Sequence, residues 1–82
     1  MGMLRMLSRQ GDTQITWDSA AVRSGDPAAM AAIEAAERIF AAERERGATA
    51  FVVRGAGAPP VRIEQLDREA EEIILVPSII GG

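Results

Sequence analysis

Ile73-Ile74-Leu75-Val76-Pro77-Ser78-Ile79-Ile80-Gly81-Gly82 is the stretch that decides how this chain folds. Its first four residues are all apolar, so a strand made from them has no polar face. A chain of 82 residues can shield such a strand only in the middle of a sheet. Pro77 removes a backbone donor and fixes its own φ, so ladder pairing is expected to stop there. The residues beyond it are expected to leave the body as a short extended arm. At about 3.3 Å per residue, that arm carries its terminal carboxylate roughly 15 Å outward. Gly81 and Gly82 have no side chains, which lets the arm thread a narrow channel and present the carboxylate to a reactive centre. A terminal glycine pair arises by chance about once in 200 chains. Its meaning therefore depends on the fold that carries it.

Composition narrows the function classes. With 48% hydrophobic and 26% charged residues the chain is globular in character, and its length suits one domain close to the lower limit for a self-sufficient core. A net charge of -3, with arginines spread singly among acids, offers no phosphate-binding face, so no nucleic acid is expected as partner. No apolar run is long enough to span a bilayer, and Arg5 interrupts the opening too early for a signal sequence. No membrane partner is expected, and the expected location is the cytoplasm. Cys and His are absent, which removes thiol nucleophiles, imidazole bases and the usual zinc ligands. No catalytic residue, metal or resident cofactor is assigned. Every basic residue is arginine, so the chain offers no side-chain amine.

Upstream of the apolar stretch, Met3 to Arg9 and Thr13 to Asp18 read as two strands of a hairpin turned at Gly11. Leu4, Met6, Ile15 and Trp17 are expected on its buried face, Trp17 as a core anchor. Ser19 to Gly25 reads as a connecting loop. Asp26-Pro27 reads as an N-cap and first helical position, opening a helix to about Arg46 with Gly47 in the left-handed position after it. Ala29, Ile33, Ala36 and Phe40 form its buried stripe, flanked by Met30, Ala32 and Ile39. Glu34 and Arg38 are expected to pair on its far side, and Glu43 to Arg46 to form a solvated last turn. Ala48 to Arg54 reads as a third strand with Phe51 and Val53 inward. The loop from Gly55 to Pro60 leads to a short strand, Val61 to Leu66, pairing back on the third. Asp67 caps a single helical turn through Glu71 before the last strand.

This order is expected to give an α+β domain: a mixed four- to five-stranded sheet on one long helix, the last strand central, beside the first and parallel to it. That arrangement is the β-grasp, and the chain resembles the ubiquitin-like superfamily over nearly its full length in element order. Glu72 to Gly82 is similar to the ending of prokaryotic sulfur carriers of the molybdopterin-synthase small-subunit and thiamine-carrier type, which close with an apolar strand, proline and Gly-Gly. The chain also looks like ubiquitin-like modifiers of bacterial conjugation operons. It departs from the sulfur carriers in its longer helix, and from ubiquitin in its Gly55 to Pro60 loop and its lack of lysine. The division expected is a domain over residues 1–77 and an arm over 78–82.

What the resemblance implies is a substrate protein and not an enzyme. An adenylating, ubiquitin-activating-like enzyme would consume ATP to activate the Gly82 carboxylate. Pro77, Ser78, Ile79, Ile80 and Gly81 would form the arm that enters it. In the first reading a conjugating enzyme passes the chain through a thioester to target proteins, and a deconjugating peptidase removes it. In the second, sulfur converts the terminus to a thiocarboxylate for cofactor synthesis. The third is a non-covalent interaction domain. Ile79 and Ile80 either dock into an enzyme groove or fold back over the sheet.

Overall fold

The computed structural model describes residues 1–7, 11–55 and 57–78. Its elements are β1 (Gly2–Met6), β2 (Thr13–Trp17), α1 (Ser19–Arg23), α2 (Pro27–Glu45), β3 (Thr49–Val53), β4 (Val61–Ile63) and β5 (Glu72–Val76). The strands form one five-stranded sheet in the order β2-β1-β5-β3-β4. β5 takes the centre, parallel to β1 and antiparallel to β3. Its apolar composition explains the position: Ile73 and Leu75 are fully buried beneath the helices, while Ile74 faces the other way and is still half-buried.

The β1–β2 hairpin forms as expected, with Gly11 at φ 117, although β1 begins one residue earlier, at Gly2. Residues 8–10, assigned in part to β1 from the sequence, lie outside the described residues. Leu7 continues the pairing with β5 by donating its N–H to the Leu75 carbonyl.

α2 starts where its caps dictate. The Asp26 carboxylate accepts from the Ala29 N–H at 3.0 Å, and Pro27 occupies the first turn, where its missing N–H costs nothing. Ala29, Ile33, Ala36 and Phe40 are its buried residues. They pack with Leu4, Trp17, Ala50, Val52, Ile73 and Leu75 as one core. Trp17 is 2% exposed, and its indole N–H donates to the Arg68 carbonyl at 3.0 Å, so its one polar group is satisfied.

Four expectations need correction. Ser19–Arg23 is a short helix and not a loop, because Asp18 caps it by accepting from the Ala21 N–H and Val22 is buried. β3 presents Ala50 and Val52 inward, with Phe51 and Val53 half-buried on the opposite face, the reverse of the expected orientation. The cause is register: Ala50 and Val52 are paired with Leu75 and Ile73, which fixes their side. Glu34 and Arg38 do not pair; Glu37 instead accepts two bonds from Arg68, at 2.8 and 3.0 Å. The segment from Arg68 to Glu71 is a turn and not a helical one: Asp67 accepts from the Glu69 N–H, and Ala70 bonds back to the Asp67 carbonyl. β4 is also shorter than expected but pairs antiparallel with β3 as anticipated. Among the described residues, no helix is long and apolar enough to cross a membrane.

Candidate functional site

The site that the sequence points to begins where β5 ends. Val76 makes the last rung with Thr49 and is 37% exposed, Pro77 is half-buried, and Ser78 is exposed. Pro77 and Ser78 thus lie at the surface end of the central strand. Ile79, Ile80, Gly81 and Gly82 lie outside the described residues.

What surrounds this point comes from the C-terminal end of α2. Arg46 closes the helix, and Gly47 follows at φ 96. The Gly47 N–H donates to the Arg44 carbonyl at 3.0 Å and the Ala48 N–H to the Glu43 carbonyl at 2.9 Å, the paired bonds of a Schellman ending. Those bonds satisfy carbonyls that the helix would otherwise leave orphaned. Arg44 bends back and donates from Nη1 to the Ala48 carbonyl at 3.1 Å. It ties the helix to the start of β3, so the charged last turn is only partly solvated. Arg46 pairs with Glu43 at 3.3 Å.

Continuing the register of Thr49 with Val76 sets Ala48 opposite Pro77 and Gly47 opposite Ser78. An ideal Cβ on Gly47 would lie 3.4 Å from Ser78 Cβ and 3.7 Å from Ser78 Oγ. Sequence reasoning found Gly47 as a helix stop and Ser78 as part of an arm. It did not bring them together, because their meeting depends on which strand lies beside β3.

The sheet face away from the helices carries a second feature. Register places Gln14, Arg5, Ile74, Phe51 and Arg62 in one row across all the strands. Arg5 reaches Glu72 at 3.4 Å and Asp12 at 3.9 Å. At the end of the sheet remote from Val76 lies an open depression of about 670 Å³ lined by Met1, Met3, Val53, Glu71 and Glu72 among others. Among the described residues, no group of three or more acidic side chains converges to hold a metal ion. The Arg68 pKa is raised above its ordinary value, first by the hydrogen bonds to Glu37 and then by that carboxylate's charge.

Compared with protein-family models, curated proteins and solved structures, the chain matches none.

Proposed function

We propose that this chain is a ubiquitin-like protein modifier of β-grasp fold whose Gly82 carboxylate is activated by a partner enzyme. The observation that carries the reading is the placing of the apolar β5 at the sheet centre, parallel to β1, with its chain reaching the surface at Pro77 and Ser78. A rigid core strand that runs directly into a segment without bulky side chains at its tip suits a substrate that other enzymes must grip and energise.

The chemistry follows from the carboxylate being a poor electrophile. One of its oxygens attacks the α-phosphorus of ATP, pyrophosphate leaves, and an acyl-adenylate results. An enzyme thiolate displaces AMP to give a thioester, and a target amine displaces the thiolate to give an amide. This chain contributes the body and the arm, and the catalytic groups belong to its partners.

The second reading, a sulfur carrier, shares the adenylate and diverges at the nucleophile, since a sulfide-level sulfur delivered by a partner displaces AMP to leave a thiocarboxylate. The proline after the strand favours it, and the 19-residue helix favours the modifier. Expression of an N-terminally tagged chain in its cell of origin separates them. The modifier gives covalent adducts that survive thiol reductant. The carrier gives free chain with the mass increase of sulfur for oxygen. If deletion of Gly82 leaves both patterns as in the wild type, or neither pattern appears, activation at the terminus is refuted.

A further inference from the structure

We propose that the segment 64–71 is a charge-latched strap: it opens as a unit while the sheet stays closed, and the ion pairs that fasten it set how often it does so. The device acts whether or not Gly82 is activated.

The segment joins β4 to β5, yet among the described residues none of its backbone groups bonds to the backbone of a strand or a helix. Its own bonds are internal: the Ala70 N–H donates to the Asp67 carbonyl at 3.1 Å and the Glu69 N–H to the Asp67 carboxylate at 2.9 Å. Leu66 and Ala70 are its apolar anchors in the core. The remaining ties are polar. The Trp17 indole N–H and the Ser19 hydroxyl donate to the Arg68 carbonyl at 3.0 and 3.4 Å. Four ion pairs reach the segment from three parts of the fold. In α2, Glu37 holds Arg68 and Arg44 lies 3.9 Å from Glu64. Arg23 of α1 pairs with Glu69, and Arg54, just beyond β3, reaches Asp67 at 3.5 Å.

A connection without ladder bonds gains chain entropy on release and has little buried apolar surface to oppose it, so it opens at lower cost than the strands beside it. All four pairs have solvent access. Along the seam with α2 an open depression of about 320 Å³, lined by Glu37, Phe40, Ala41, Glu64, Gln65 and Leu66, brings water to two of them. An exposed pair contributes little alone, and salt screens it. Four pairs on one segment bear on a single opening equilibrium, so their small factors multiply to about ten-fold. Arg68 with Glu37, joined by two bonds at 2.8 and 3.0 Å, supplies the largest share. Opening breaks the bond from Trp17 to Arg68 and uncovers the indole, which is 2% exposed in the closed form.

The test is hydrogen exchange by residue in the full ¹⁵N-labelled chain. In the wild type the Trp17 indole N–H and the Ala70 amide should show matching protection, both below that of the Ile73 and Leu75 amides in β5. Raising sodium chloride from about 0.02 to about 1 M should lower both by about ten-fold relative to those β5 amides. Glu37→Gln should lower both by about two- to five-fold at low salt and shrink the salt dependence that remains. An indole as protected as β5 would mean that the segment leaves only in global unfolding, and unequal protection of the indole and Ala70 would mean that it does not move as a unit. Protection indifferent to salt, or unchanged in Glu37→Gln, would mean that charge does not fasten it. Each of these results overturns the strap.

Discussion

The indole of Trp17 lies over Gly2, its register partner across the first hairpin, so closely that a Cβ on Gly2 would fall 2.2 Å from Trp17 Cε2. Both residues are buried, and Trp17 is also held through its indole N–H to Arg68. The ring therefore cannot retreat without breaking that bond. Gly2→Ala should destabilise the fold by on the order of 1–3 kcal/mol through overpacking. Urea unfolding followed by the fluorescence of Trp17 measures it directly, and an unchanged midpoint would show that the ring is not fixed as described.

The orientation of β3 gives a like-for-like comparison between neighbours. Val52 is fully buried against the helices and Val53 is half-buried on the other face. Val52→Ala should cost about 2 kcal/mol, combining lost transfer energy with a cavity, and Val53→Ala less than about 1 kcal/mol. Equal losses, or a larger one at Val53, would mean that the strand presents the opposite side.

Removing the two aspartate caps separates the helices. Asp26→Ala should lower stability by about 1 kcal/mol, the usual worth of an N-cap. Asp18→Ala acts on five-residue α1 and should reduce amide protection there, near Ala21 and Val22, with little global effect. Hydrogen exchange by residue distinguishes the local outcome from a global one, and uniform loss across the sheet would contradict the assignment.

Stability should be level between about pH 6 and 9, because the chain has no His, Cys, Tyr or Lys to titrate there. The Arg68 guanidinium, raised above its ordinary value by Glu37, follows the same sign. A raised folded-state value gives stability that is complete below the ordinary one and is lost only as pH climbs through the raised one, far into alkali. Urea midpoints at several pH values check this, and a steady drift across the range would count against it. Glu37→Gln should bring a small, salt-sensitive loss, since both partners are partly exposed to solvent.

Local rules recovered the elements whose signals are local. Asp26-Pro27 and Gly47 bracketed α2, the stripe from Ala29 to Phe40 gave its buried face, and Gly11 marked the hairpin. α1 escapes the local rules, because a helix this short is held by the burial of Val22 more than by propensity. The turn after Asp67 fell short of a helix for a related reason: Trp17 and Ser19 both bond the Arg68 carbonyl, which a continuing helix would need for itself.

The sequence by itself determined that β5 is central, since four apolar residues in succession leave no side fit for water. It also determined where α2 starts and stops. Tertiary structure alone decided which face of Thr49–Val53 turns inward and which residue lies beside Ser78. Ala50, Phe51, Val52 and Val53 carry no polar alternation to choose a side, so the choice passed to the rungs with Ile73 and Leu75. Ser78 comes to lie near Gly47 just beyond the end of the same strand pair, a proximity between positions that no local pattern connects.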